Sequence, residues 1–206
     1  MKTRSIKLSI LYFGTPVALM TTLNADGSSN ISVMSSAWAL ADRIVLGLGV
    51  HGQGFNNLER CGEAVINLPS SDMHAAVERI AATTGHDPVP TYKVAMGYSY
   101  VRNKFALAGW SEAQSIVVKP SRILECPLQL EAKVLAVHAC SPDELGLADE
   151  CRIVEMQVMQ VHAHENMVFT GTNHVDTSQW SPLLYVFRHY FGFAQKLGTN
   201  FRAEVS

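Results

Sequence analysis

The stretch Leu128-Gln129-Leu130-Glu131-Ala132-Lys133-Val134-Leu135-Ala136, taken with residues 152–164, decides the fold class. In it Leu128, Leu130, Ala132, Val134 and Ala136 alternate with Gln129, Glu131 and Lys133. That period of two belongs to an antiparallel strand with one face buried and the other polar. A polar link containing Pro142-Asp143-Glu144 separates the two stretches, so 128–139 and 152–164 are expected to be long strands side by side.

Working outward, the same grammar repeats. Val17-Ala18-Leu19-Met20-Thr21-Thr22-Leu23 is β-prone, and Asn24-Ala25-Asp26-Gly27 is a turn signal. Residues 31–40 and 43–50 read as strands, with Ile44-Val45-Leu46-Gly47-Leu48 apolar enough to be buried on both faces. His51-Gly52-Gln53-Gly54 is a loop before a short helix over 55–61, and 63–69 is a strand stopped by Pro69. Asp72 occupies a helix N-cap position ahead of Met73, Val77, Ile80 and Ala81 at helical spacing. Residues 83–100, rich in Gly, Pro and Tyr, form a long ordered loop or broken helix, to serve either as a lid or as a dimer-contact arm. The stretch 180–193 is dense in aromatics. No repeat, linker or low-complexity segment divides the chain, so residues 1–206 are expected to be one domain, mainly β (α+β), a barrel with a few short helices.

Composition narrows the function. In 206 residues, sixteen Lys and Arg face eighteen Asp and Glu, and charged residues make up 17%. The balance lacks the basic excess that phosphate backbones demand, which argues against nucleic-acid binding. Cys61, Cys126, Cys140 and Cys151 show no CxxC or zinc-knuckle spacing, so reduced thiols in a cytoplasmic protein are expected. Lys2, Arg4 and Lys7 precede an uncharged stretch over 8–25, but Gly14-Thr15-Pro16 and Thr21-Thr22 interrupt it. It reads as a first strand rather than as an export signal or membrane span.

Three segments carry candidate chemistry. In Asn30-Ile31-Ser32-Val33-Met34-Ser35-Ser36, paired hydroxyls on an apolar strand need hydrogen-bond partners, from a ligand or from neighbouring backbone. In His51-Gly52-Gln53-Gly54-Phe55-Asn56-Asn57, glycines allow close approach and the helix start offers N–H groups to an anion. This loop fits neither the Walker pattern nor GxGxxG, and a plain strand-to-helix turn explains it equally well. In the third, Arg188, His189 and Tyr190 stand among aromatics that could embrace a flat ring or simply plug the core.

Together these segments resemble the flavin reductase-like, FMN-binding split-barrel family. The likeness also takes in Val65-Ile66-Asn67-Leu68-Pro69, Lys104-Phe105-Ala106-Leu107-Ala108-Gly109-Trp110, Glu125-Cys126-Pro127 and Pro182-Leu183-Leu184-Tyr185, and it covers most of the chain. It implies a six-stranded antiparallel Greek-key split barrel, homodimeric, with FMN at or near the subunit interface. Asn30, Ser35, Ser36, His51, Gln53, Gly54, Phe55, Asn57 and Tyr190 are the implied FMN-binding residues. His174, Arg188 and His189 are candidates for a substrate or nicotinamide pocket. The implied activity is hydride transfer from NAD(P)H to bound FMN, then to a free flavin, a ferric chelate or another small acceptor. The alternative is a flavoredoxin-like electron carrier without nicotinamide activity of its own. The cofactor would do the chemistry, so no catalytic acid or base is named. His162 and His164, two apart on a strand, have a spacing that zinc sites sometimes use, but they read better as polar residues on a solvated face, so no metal is expected.

Overall fold

The computed structural model describes residues 1–141, 147–192 and 196–200. The link Pro142-Asp143-Glu144 and the aromatic Phe193 lie outside the described residues. Residues 1–12 hold no regular structure and are mostly exposed, and burial starts only at Val17. The elements are β1 (Phe13–Pro16), β2 (Ala18–Leu23), β3 (Ser29–Met34), β4 (Ala37–Leu40), β5 (Arg43–Gly49), α1 (Gln53–Cys61), β6 (Glu63–Leu68) and α2 (His74–Ala81). There follow α3 (Thr91–Ala95), α4 (Lys104–Ala108), β7 (Leu128–Ala139), α5 (Leu147–Glu150), β8 (Cys151–Ala163), β9 (Leu184–Val186) and β10 (His189–Phe191). Among the described residues no helix is long and apolar enough to cross a membrane.

Seven strands pair antiparallel in the order β3-β2-β6-β7-β8-β5-β4. The order is Greek-key in kind, since β6 pairs with β2 and β8 with β5 rather than with chain neighbours alone. The sheet has one strand more than the expected six, because the continuous strand over 31–40 breaks at Ser35-Ser36. Its second half, β4, turns to pair with β5 through Ala37↔Leu46 and Trp38↔Val45. The consequence is geometric. β3 and β4 form opposite edges of the sheet yet are separated by two residues, so the sheet must curl until its edges approach, giving a split barrel with its seam at Ser35-Ser36.

Two apolar layers result. Ala18, Met20, Ile44, Leu46, Phe55, Ile66, Ala132, Val154 and Met156 pack inside the barrel. Val17, Leu19 and Ile31 point outward against Val77 and Ile80 of α2 and Phe105 and Ala108 of α4. β2 is therefore buried on both faces. β5 is not: Ile44, Leu46 and Leu48 are buried while Gly47 is exposed, contrary to the expectation of two-sided burial. Asp72 also falls elsewhere than expected. It lies in a 3-10 turn over Ser71–Met73, and Met73 holds the N-cap of α2.

β7 shows the largest departure. Its expected solvent face carries Gln129 and Glu131, which are 2% and 0% exposed. The Glu131 carboxylate accepts hydrogen bonds from the backbone N–H groups of Ile116, Val117 and Val118 at 2.8, 2.6 and 3.1 Å, and from His162 Nε2 at 2.6 Å. Burial pushes this carboxyl up, but the four donors outweigh it and hold it below the ordinary carboxylate range. Gln129 accepts from Arg122 at 2.6 Å and donates to the Cys126 carbonyl at 2.7 Å. A segment looping over the sheet has turned a polar face into an interior one.

Candidate functional site

The seam opens into a cleft of about 320 Å³. Its walls come from the end of β3 and the Ser35-Ser36 break, from Gly47 to Gly49 of β5, from the start of α1, and from Thr83, Thr84, Gly85, Tyr92, Lys93 and Tyr98 of the segment over 83–100. That segment is a loop broken by one short helix. Thr83-Thr84 pairs in parallel with Ser99-Tyr100, and α3 between them places Tyr92 and Lys93 over the cleft.

Close packing holds the start of α1 in place. A Cβ on Gly54 would meet Ser32 Oγ and would stand 2.7 Å from Met20 Cε, so only glycine brings the helix this near β3. Gly85 is constrained in the same way, since its Cβ would lie 2.7 Å from Asn30 Oδ1. Gly52 is the N-cap of α1 and no side chain caps the helix, which leaves the first-turn N–H groups available to a ligand.

The electrostatics have one sign. Among the described residues no Asp, Glu or His lines the cleft, whereas Lys93 and Lys104 do. Lys104 is 4% exposed and donates from Nζ to the Ile31 carbonyl at 2.7 Å. Among the described residues no carboxylate forms an ion pair with either lysine. Burial, with a smaller contribution from the Lys93 charge, brings Lys104 down to about 8. Burial also lowers Lys93, whose Nζ lies 5.8 Å from the Tyr98 ring centre and 6.0 Å from that of Tyr92. A cleft lined by one buried and one half-buried cation, hydroxyls and a helix start is suited to an anion carrying a polarisable ring.

Of the residues singled out in the sequence, Asn30, Ser35, Ser36, Gln53, Gly54 and Phe55 all line this cleft. Asn30 donates to Ser32 Oγ at 3.2 Å, and Ser36 shares a 2.6 Å hydrogen bond with the Tyr12 hydroxyl. Asn57 does not reach the cleft. It is 2% exposed, donates to Thr22 Oγ1 at 3.1 Å and Asn24 Oδ1 at 2.8 Å, and accepts from Gln53 Nε2 at 3.0 Å. It therefore orients Gln53 one helical turn away. His51 points into a neighbouring cleft beside His86 and Tyr92, 3.5 Å from Glu150.

The C-terminal candidates stand elsewhere. Tyr190 donates to Glu78 at 2.9 Å and packs on Tyr185 at 5.7 Å, and Tyr185 in turn packs on Tyr12 at 5.6 Å, so Tyr190 is two rings away from the cleft. Arg188 is exposed on the turn joining β9 and β10, and His189, exposed as well, opens β10 opposite Val186. His174 lies in the loop after β8, where its carbonyl accepts from Phe169 N at 3.0 Å. None of these three residues lines the cleft. His162 is taken up by Glu131, and His164 Nε2 lies 2.9 Å from the Leu124 carbonyl. Among the described residues no group of three or more His, Cys, Asp or Glu side chains converges as a metal site. Sequence reasoning did not single out Tyr12, Ser32, Thr83, Thr84, Gly85 or Lys104 as site residues. Lys104 carried a signal, a lone cation at the start of an otherwise apolar short helix.

Comparison with known proteins points the same way. The family described as "Flavin reductase like domain" matches residues 10–194. The uncharacterized protein YdfE of Bacillus subtilis (strain 168) is 45% identical over 203 residues, spanning 98% of this chain and 95% of that protein. Among solved structures, flavoredoxin of Desulfovibrio vulgaris (Miyazaki F) superposes with a TM-score of 0.77 at 19% identity, covering 98% of this chain and 99% of that one. Nitrilotriacetate monooxygenase component B from Bacillus cereus gives a TM-score of 0.73 at 17% identity, covering 93% and 89%.

Proposed function

The chain belongs to the flavin reductase-like family of split-barrel proteins, and from that premise we propose that it is an FMN-dependent oxidoreductase holding the flavin in the seam cleft. The observation that carries the reading is the cleft's charge: Lys93, Lys104 and an uncapped helix start, with no carboxylate lining it among the described residues. The residues present fit a phosphorylated flavin. The first turn of α1 and the two lysines would hold the phosphate, and the hydroxyls of Ser32, Ser35 and Ser36 would meet the ribityl chain and ring edge. Gln53, fixed by Asn57, adds an oriented amide. Tyr92 and Tyr98 wall the cleft and exclude water.

Bound FMN would supply hydride acceptance from NAD(P)H and onward electron delivery to a free flavin, a ferric chelate or another small acceptor. The protein's part is binding, orientation and electrostatics. We place the protein in the cytoplasm.

A homodimer belongs to this reading. Trp38 and Leu40 on the edge strand β4 are 56% and 67% exposed, and Ile153 on β8 is 42% exposed. Through the β4–β5–β8 registers these three side chains share the outer face of the sheet with Gly47, which lines the cleft. Covering that apolar face with a second copy would close the cleft's rim. Light scattering is expected to give twice the 22.6 kDa chain mass, and Trp38→Lys to give a monomer.

The decisive experiment is reconstitution with FMN followed by anaerobic mixing with NADH or NADPH. Rapid bleaching of the flavin absorbance is the expected result. Bound FMN that neither donor reduces would make the protein an electron carrier, and failure to bind FMN at all would overturn the reading.

A further inference from the structure

Ala139 and Arg152 form the last registered pair of the β7–β8 ladder, so the next residues outward, Cys140 and Cys151, stand directly opposite each other. Their Sγ atoms are 2.9 Å apart, as thiols in hydrogen-bond contact, and both side chains are half-buried. Directly opposed residues on antiparallel strands already have the backbone spacing a disulfide needs. Bonding would draw the sulfurs together by about 0.9 Å, to about 2.05 Å. The other two cysteines differ: Cys61 ends α1, and Cys126 is fully buried with its thiol pushed well up by that burial. The position of the pair also matters. Cys151 is registered with Gly49, which lines the cleft, and the adjacent Val50 N–H donates to the Glu150 carbonyl at 3.0 Å.

We propose that Cys140 and Cys151 form a reversible dithiol–disulfide modification site whose substrate is a low-molecular-weight disulfide. The thiolate of one cysteine attacks a sulfur of the small disulfide, the S–S bond of that molecule breaks, and one small thiolate leaves with the bonding electron pair. The second cysteine, after giving its proton to solvent, attacks the mixed disulfide and expels the second small thiolate. Two protein thiols are oxidised by two electrons, one small disulfide is reduced to two thiols, and excess small thiol reverses both steps. The bond fastens β7 to β8 at the point where β8 is paired with the strand end leading into the 49–52 loop and α1. The site stands on the cysteines alone and is independent of the flavin assignment.

The test is to incubate reduced protein with oxidised glutathione, quench by alkylation and map peptides by mass spectrometry. Of the four thiols, two are expected to disappear together, as a single cross-link between the Cys140 and Cys151 peptides that reduced glutathione removes. Cys140→Ser is expected to retain one glutathione on Cys151 and form no internal link. Four thiols still alkylated after exposure, or glutathione accumulating on both cysteines of the wild type without a link, would overturn the proposal. Circular dichroism of the serine variant distinguishes a folding failure from lost exchange, and Cys151→Ser supplies the same test from the other side.

Discussion

Lys104 sets the stability of the barrel against the chemistry of its cleft. The residue is 4% exposed, and its ammonium donates to the Ile31 carbonyl. Displacement from 10.5 to about 8 by burial and the Lys93 charge corresponds to about 3 kcal/mol disfavouring the cation in the folded state. Because the folded value lies below the unfolded one, this cost is fully present below pH 8, where both states are protonated. It fades as pH rises from about 8 towards 10.5. Lys104→Met keeps the apolar stem and removes the charge. It orphans the Ile31 carbonyl, at about 1 kcal/mol, so the net gain in stability at pH 7 is about 2 kcal/mol. Urea denaturation should show this advantage at pH 7 and a smaller one at pH 10. FMN titration at pH 7 should show affinity reduced by about tenfold, equivalent to about 1.4 kcal/mol. A variant less stable than the wild type at pH 7, or one that binds FMN unchanged, would refute the reasoning.

Other perturbations separate structural from ligand-facing groups. Glu131→Gln leaves several buried donors facing an amide that is itself half donor, and should lower the unfolding free energy by about 3 kcal/mol in urea. The folded value of Glu131 is depressed, so its contribution is present above the unfolded carboxylate value and lost as pH falls through the folded one. As pH falls below the ordinary carboxylate range and on through the folded value, the wild type should therefore progressively lose its advantage over the variant, and a difference that stays undiminished down to the acid limit of folding would count against the clamp. Asn57→Ala, losing partners in Thr22, Asn24 and Gln53, should cost about 2–4 kcal/mol of stability by thermal or chemical denaturation. Ser35→Ala should leave stability within about 0.5 kcal/mol while weakening FMN binding measured by fluorescence quenching.

The strands were legible where periodicity and turns agree. β7 lies where its alternation placed it, and β6 ends against Pro69 as expected. The burial of β7 was not legible, because Gln129 and Glu131 owe it to Arg122 and to the backbone of 116–118, and no local pattern reports a segment that returns from outside the strand. The glycines of 51–54 marked a close approach correctly, but α1 starts at Gln53, two residues before the expected 55, because Gly54 packs against Ser32 and Met20 as part of the helix. Asn57 misled for a related reason: an amide four residues after Gln53 looks the same in sequence whether it faces a ligand or its neighbour. Arg188, His189 and Tyr190 share a short stretch with aromatics, but the β9–β10 hairpin turns it away from the seam.

At the Ser35-Ser36 break two residues of chain join β3 to β4, and Ser36 is held by the Gly47 N–H donating to its carbonyl at 2.8 Å and by a 2.6 Å hydrogen bond to the Tyr12 hydroxyl, where a continuous wall would have a full ladder. A ligand seated there acts as a keystone, touching both margins of the gap and supplying cohesion that the missing rungs do not. Occupancy and folding are then thermodynamically linked, and a ligand at a hundred times its dissociation constant would add about 2.7 kcal/mol to the folded state. Chains made without it would open first at this arch, and the proteolytic sensitivity of residues 34–37 would report how many molecules carry their cofactor.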